Sequence, residues 1–172
     1  MNEHDRNVLS FETALQVGQT CLGLRVQTAA RILGRRYDEA LRPVGLTGWQ
    51  YSLMMTLNRP HPLTISGLAE ALAMDRTTIT ANLKPLERRG LVETLADPND
   101  ARIRRIRLSA EGESLLAEAL PRWRAVNDAI LDRLSDGERE ALRTAFGVLL
   151  QSSPEGRGAH FFLPSSPEQE IR

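Results

Sequence analysis

Cysteine, histidine and long apolar runs are scarce in this 172-residue chain. Its single cysteine, Cys21, cannot form an internal disulfide, which suits a reducing compartment. The three histidines, His4, His61 and His160, are scattered, whereas a zinc site needs clustered His, Cys or carboxylate ligands. There is no HExxH, CxxC, phosphate loop or nucleophile elbow. These absences argue against an enzyme and against a resident metal or cofactor. No apolar run approaches the roughly 18 to 20 residues of a membrane span. The opening MNEHDRNVLS lacks the basic-then-apolar order of a secretory signal, so a cytoplasmic location away from membranes is expected. Net charge is missing too, because 22 Lys and Arg balance 22 Asp and Glu.

The charge that is there is unevenly placed. Residues 76–107 carry eight Lys/Arg against four acids, a local excess of +4, while residues 108–172 are at −4 and residues 1–75 are balanced. A basic footprint on a neutral chain is expected of a protein that meets a polyanion with one face only. The length is that of one ordinary domain with enough chain for a core.

Leu63 to Ser109 reads as a short strand, a short helix, a turn, a second helix and a basic hairpin. The strand is Leu63 and Ile65, Ser66 caps the short helix carrying Leu68, Ala69 and Leu72, and Ala73–Asp75 is the turn. Asp75 can cap the second helix, about Arg76 to Arg89, which closes at Gly90. At roughly 100° per residue, Ile79, Leu83 and Leu86 fall within about 60° of one another. Thr77, Ala81, Lys84, Pro85 and Arg88 gather opposite, with Thr78 and Thr80 at the margins. One packing edge and one edge of short hydroxyls and cations is what a helix needs to enter the DNA major groove. Pro85 should deform or tilt its second half.

Leu91 to Leu95 and Ile103 to Leu108 form two strands around Asp97-Pro98-Asn99-Asp100. Ile106 and Leu108 share one face of the second strand, Arg105 and Arg107 the other. Arg102, Arg104, Arg105 and Arg107 stand without an acid from Ala101 to Ser109, which points to phosphate or minor-groove contact rather than a merely solvated hairpin.

Long amphipathic helices flank this region. One is expected from about Phe11 to Leu41, with Leu22, Val26, Ala29, Leu33 and Tyr37 at helical spacing and a second set, Cys21, Leu24, Thr28 and Ile32, widening the apolar face. Such a helix is either thoroughly buried core or partly packed on another subunit. Pro43 and Gly45 end it, and Thr47 with Gln50 opens the next as a capping box. Trp49, Leu53, Met54 and Leu57 are its apolar residues, and Trp49 and Met54 line either the core or a ligand cavity. Ser109 caps a helix with Leu116, Ala119, Trp123, Val126, Ile130 and Leu134, in which Pro121 should cause a bend. Ser135 with Glu138 opens a last helix carrying Leu142, Phe146, Leu149 and Leu150. The remainder is rich in Ser, Pro, Gly and Glu, a composition typical of disorder, with Phe161-Phe162-Leu163 as a patch able to dock on the body or on a partner subunit.

Over about residues 12–150 the chain resembles the MarR family of winged-helix regulators, through GLTGWQYSLM, TISGLAEALAMDRTTIT, LERRGLVE and DPNDARIRRIRLSAEGESL in that order. The resemblance implies a mainly α fold with a small β-hairpin wing, the winged helix-turn-helix being embedded between long dimerisation helices. The segments would be a flexible 1–10, a domain over 11–151 and a tail over 152–172. Within the domain, 11–46 and 110–151 would dimerise and 47–109 would form the DNA-binding lobe. It further implies a homodimeric regulator, a repressor released from a palindromic operator by a small effector of the aromatic-acid class. Double-stranded DNA, a second copy and that effector would be the partners.

Arg76, Thr77, Thr78 and Thr80 match the family's polar start to the recognition helix, and Arg102, preceded by Asp100, matches its wing arginine. Lys84, Arg88 and Arg104 complete the expected DNA contacts. Arg25, Trp49, Met54 and Trp123 are the candidate effector-lining residues. The chain departs from the pattern at Ala81, where many relatives carry Arg, and at Lys84, where an acid is common. Readout should therefore shift from the centre of the helix towards its flanks and the wing.

Two alternatives remain. A thiol switch at Cys21 would resemble the hydroperoxide-sensing branch of the family, but that branch's cysteine aligns with Gly23, and its supporting tyrosine aligns with Gly48. Two residues is about 200° of helix, so Cys21 reads better as an inert cysteine. A protein-interaction module without specific DNA readout would explain the wide apolar helices but not the acid-free run of arginines.

Overall fold

A computed structural model describes residues 9–100 and 102–151. Among the described residues, seven α-helices and three strands follow in the order α1 (Phe11–Thr20), α2 (Leu22–Leu41), α3 (Gly48–Leu57), β1 (Leu63–Thr64), α4 (Ile65–Ala71), α5 (Arg76–Arg88), β2 (Val92–Ala96), β3 (Arg104–Leu108), α6 (Ala110–Leu131) and α7 (Asp136–Gln151), with a 3-10 turn at Arg42–Val44 between α2 and α3. The chain divides into two units, one ending at Arg36 and one beginning at Tyr37. None of the described helices is long and apolar enough to cross a membrane.

In the first unit, the single helix expected over 11–41 is two. The break is at Cys21, which is extended at ψ 105°. Its backbone N–H still donates to the Val17 carbonyl at 2.8 Å, closing α1. Its Sγ accepts the Leu24 N–H at 3.4 Å, so the thiol also caps the start of α2. The Thr20 hydroxyl donates back to the Gln16 carbonyl at 2.8 Å, a local bond that competes with continuation of the helix. Of the two alternatives for this segment, the thoroughly buried core helix fails as well. No residue of α1 is buried, Phe11 is 77% exposed, and Leu22, Leu24, Val26 and Ile32 are all exposed.

The core lies in the second unit. Leu41, Leu53, Met54, Leu57, Leu68, Ile79, Leu83, Leu86, Val92, Ile106, Leu108, Leu116 and Ala119 form one buried cluster from the end of α2, from α3 to α6 and from the sheet. Helix starts follow their caps. Thr47 and Gln50 make the full capping box, Asp75 accepts from the Thr78 N–H, and Ser109 accepts from the Gly112 N–H. The Glu138 carboxylate accepts the Ser135 N–H at 2.8 Å while Ser135 Oγ accepts the Glu138 N–H at 3.4 Å. The cap of α4 is Thr64, accepting from the Gly67 N–H at 3.0 Å, and not Ser66 as expected. The strand correspondingly stops at Thr64. Both prolines inside helices are accommodated: α5 remains helical through Pro85 and α6 through Pro121.

The sheet has the order β1-β3-β2 and is antiparallel throughout. Leu63 pairs with Ile106, and Val92 with Leu108. The wing is thus more than a hairpin, because β1 closes its inner edge. Ile106 and Leu108 face the core as the alternation requires.

Four elements converge where β3 ends. Ser109 Oγ donates to the Gly90 carbonyl at 2.6 Å and its N–H to the Leu91 carbonyl at 3.1 Å. Gly112, one turn into α6, lies so close that an added Cβ would sit 2.0 Å from the Leu91 oxygen. Gly112→Ala is therefore expected to destabilise the fold by about 3 kcal/mol, the upper end for overpacking, because backbone has to move. Chemical denaturation of the variant beside Gly137→Ala, whose Cβ meets open space, provides the measurement.

Candidate nucleic-acid interface

The helix-turn-helix consists of α4, a turn at Ala73 and α5. Ala73 takes the left-handed conformation at φ 51°, and the Met74 N–H returns to the Ala69 carbonyl at 2.8 Å. Asp75 then starts α5 by accepting the Thr78 N–H at 2.7 Å and the Thr78 hydroxyl at 2.5 Å. These bonds to Thr78 hold the Asp75 carboxyl below its ordinary range. The buried edge of α5 is Ile79, Leu83 and Leu86, as the periodicity requires. Arg76, Thr77, Thr80, Ala81, Lys84 and Arg88 are exposed.

Two of the expected contacts change character. Thr78 is half-buried and its hydroxyl proton is taken by Asp75. The Thr80 hydroxyl donates to the Arg76 carbonyl at 2.8 Å. Both residues are expected DNA contacts from the sequence, but their hydroxyl protons are spent inside the helix, the local bonding to which threonine is prone.

The far end of α5 is held on two sides. Gly90 turns the chain at φ 70°. Arg89 donates to the Gly45 carbonyl at 2.6 Å, and Thr94 of β2 donates to Glu87 at 2.5 Å. Neither the Arg89 nor the Glu87 contact was visible in the sequence, because each partner comes from a different element.

The wing corrects the expected run of four unpaired arginines. Arg105 pairs with the buried Asp97 and also donates to the Pro62 carbonyl at 3.1 Å. Arg107 reaches Glu93 across the β2–β3 pair, with Nε and Nη2 at 2.9 and 2.8 Å from one oxygen. The acids that answer these cations lie across the hairpin, outside the window in which the run was judged. Arg102 and Arg104 are exposed and make no ion pair among the described residues. Arg102 is placed by its own backbone, which donates to Asp100 at 2.9 Å.

The expected effector residues are divided between the two units. Met54 is fully buried in the core, and Trp123 stacks on Tyr51 with ring centroids 5.9 Å apart. Arg25 belongs to the first unit, where it donates to the Gln19 carbonyl at 3.2 Å. Trp49 is half-buried, and its indole N–H is shielded without a hydrogen-bond partner among the described residues. Cys21 serves as the cap already described. Phe161-Phe162-Leu163 lies outside the described residues.

A helix-turn-helix with a solvent-facing cationic helix edge, followed by a three-stranded wing tipped with arginine, defines a winged helix-turn-helix protein. Comparison with known proteins agrees. A model described as the MarR family matches residues 44–103. The transcriptional regulator HosA of Escherichia coli O111:H- is 38% identical over 95 residues, 55% of this chain and 70% of that protein. The M. tuberculosis transcriptional regulator MosR, solved in complex with DNA, is 39% identical at a TM-score of 0.68, covering 76% of this chain and 94% of that one. A mutant MarR from E. coli complexed with operator DNA superposes at a TM-score of 0.72 over 79% of this chain and 98% of its own, with 22% identity, a likeness of fold alone. The chain belongs to the MarR family, and its relatives are transcriptional regulators rather than enzymes.

The Asp97 carboxylate accepts the Asn99 N–H at 2.8 Å, the Asp100 N–H at 3.2 Å and the Arg105 guanidinium. The Asn99 N–H first and the Arg105 side chain next hold it below the ordinary value of 3.8. A depressed folded-state pKa contributes stability above the unfolded value, lost as pH falls through the folded one. Asp97→Asn should therefore lower Tm by a constant amount above about pH 5, and the gap to wild type should begin to narrow below about pH 4 and close as pH falls through the depressed folded value. Thermal melts at stepped pH measure this. A gap that persists in acid would remove Asp97 as the wing's anchor.

Proposed function

We propose that this protein is a homodimeric, sequence-specific DNA-binding transcriptional regulator, a repressor released from a palindromic operator by a small effector. The observation that carries the DNA-binding half is the solvent-facing set Arg76, Thr77, Lys84 and Arg88 on α5, with Arg102 and Arg104 exposed on the wing. These groups have the chemistry to reach base edges and phosphates, while Arg105 and Arg107 serve the wing itself. MosR, the relative solved with DNA, and HosA, named a transcriptional regulator, support the same reading.

The homodimer rests on apolar surface. Among the described residues α7 buries nothing, with Leu142, Phe146, Val148 and Leu149 exposed, and α1 and α2 carry their own exposed apolar residues. Surface of this kind on helices marks an association face. Phe146→Glu should shift the protein from dimer to monomer in sedimentation velocity and weaken operator binding with it. A variant still fully dimeric would move the interface off α7. The effector rests on the family resemblance and on the unpaired indole N–H of Trp49, a donor for which an aromatic acid has acceptors. A thermal-shift screen of aromatic acids and phenols tests that part.

Mobility shifts on DNA from the gene's own upstream region test the main reading, with steep salt dependence expected. Arg102→Ala should weaken binding about tenfold, lower the salt slope by about one and cost more than Thr77→Ala or Thr80→Ala. An equal or smaller loss would place the anchor on the helix. Binding indifferent to sequence at low salt would sink the specific regulator.

A further inference from the structure

We propose that Thr80 and Ala81, with Thr77 beside them, form a patch that reads thymine 5-methyl groups in the major groove and excludes guanine at the same positions. The proposal rests on the DNA-binding reading above and says which bases the helix selects.

The argument starts from hydrogen-bond supply. A guanine presents two acceptors to the major groove, N7 and O6, and is read by a donor, usually Arg or Lys. The Thr80 hydroxyl has given its only proton to the Arg76 carbonyl at 2.8 Å. Ala81 has no polar group, and both residues are exposed. Thr80 and Ala81 therefore present methyl groups and the lone pairs of the Thr80 hydroxyl, with no side-chain donor at either position. A guanine facing it would lose water from two acceptors and receive nothing in return. A thymine methyl loses nothing polar and gains apolar contact, the pairing known for Ala and the Thr methyl.

Spacing sets the extent. From Thr77 to Ala81 is about 6 Å of helix rise, close to the depth of two stacked base pairs at about 3.4 Å each. Thr77, Ala81 and Lys84 lie on one side of α5, and Thr80 is next to them. Lys84 follows Ala81 by three residues and is the first long donor on that side after Arg76. The patch is thus bracketed by cations, Arg76 before it and Lys84 and Arg88 after it. The readout expected per half-site is two adjacent thymines, with guanine or phosphate contacts only beyond them.

Selection from a random duplex pool with the full-length protein gives the test, followed by replacement of thymine with deoxyuridine, which lacks only the 5-methyl. The selected half-sites should carry adjacent thymines, and each uracil at those positions should weaken binding about fourfold, the value of one buried methyl group. Thr80→Val, which keeps a methyl and drops the hydroxyl, should retain the uracil penalty. Thr80→Ser, which keeps the hydroxyl and drops the methyl, should lose it at one position. Half-sites with guanine at these positions, or unchanged affinity on uracil DNA, would overturn the patch while leaving the regulator intact. A pool in which no sequence is enriched would overturn the DNA-binding reading itself, and the patch with it.

Discussion

The close approach of Gly112 to the Leu91 carbonyl is the constraint on which the DNA-binding lobe depends. It seats the first turn of α6 against the residue that follows the exit from α5. Ser109 adds two bonds at the same place, to the carbonyls of Gly90 and Leu91. Val92 and Leu108 pair immediately beyond. The end of the recognition helix, both wing strands and the start of α6 therefore share one backbone junction, with no side chain long enough to act as a flexible spacer. Arg89 ties the same end of α5 to Gly45, ahead of α3. Because interiors are close-packed and transmit strain, α5 cannot rotate about its axis without disturbing α6 or that turn. The reading face of α5 is held by the scaffold.

The wing divides its arginines between two tasks. Arg105 satisfies a buried carboxylate and a strand-entry carbonyl, so it organises the loop from Asp97 to Asp100. Arg107 pairs at the surface with Glu93, where an exposed ion pair is worth about 1 kcal/mol or less. Arg102 and Arg104 are left for solvent or for a polyanion. Zero net charge over the chain is compatible with this, because what governs association is the local field near the groove-facing elements.

Capping chemistry made most of the fold legible in the sequence. Thr47 with Gln50, Asp75, Ser109, and Ser135 with Glu138 each pair a short polar side chain with a backbone N–H two or three residues on, a local rule that needs no tertiary knowledge. The packing edge of α5 was legible for the same reason, since Ile79, Leu83 and Leu86 repeat at the helical period. The break at Cys21 was not, because apolar periodicity runs through it and cysteine is an uncommon cap. Between Thr64 and Ser66 both hydroxyls satisfy the capping rule, and only the register of β1 against β3 decides for Thr64. In the site, exposure of Arg76, Lys84, Arg88 and Arg102 followed from the pattern. The pairing of Arg105 and Arg107 and the spent hydroxyls of Thr78 and Thr80 depend on partners that single-sequence spacing does not rank.

The two kinds of surface on this chain imply a division of labour. The second unit has a complete core and carries the whole helix-turn-helix and wing, so the shape of the reading face does not require a second copy. Phe11 of α1, Leu22, Leu24, Val26 and Ile32 of α2, and Leu142, Phe146 and Val148 of α7 lie exposed, and a chain that leaves such residues to water gains by association. In a homodimer these faces set how far apart the two copies of α5 lie, a distance that must match one turn of DNA, about 34 to 36 Å, or a multiple of it. Under the proposed function, which bases are read belongs to Thr77, Thr80, Ala81 and Lys84, and whether two half-sites can be read at once belongs to the outer helices. On the same reading, an effector bound near those helices would alter the second property without touching the first. It would lower affinity for the paired site while the preference within each half-site stayed the same.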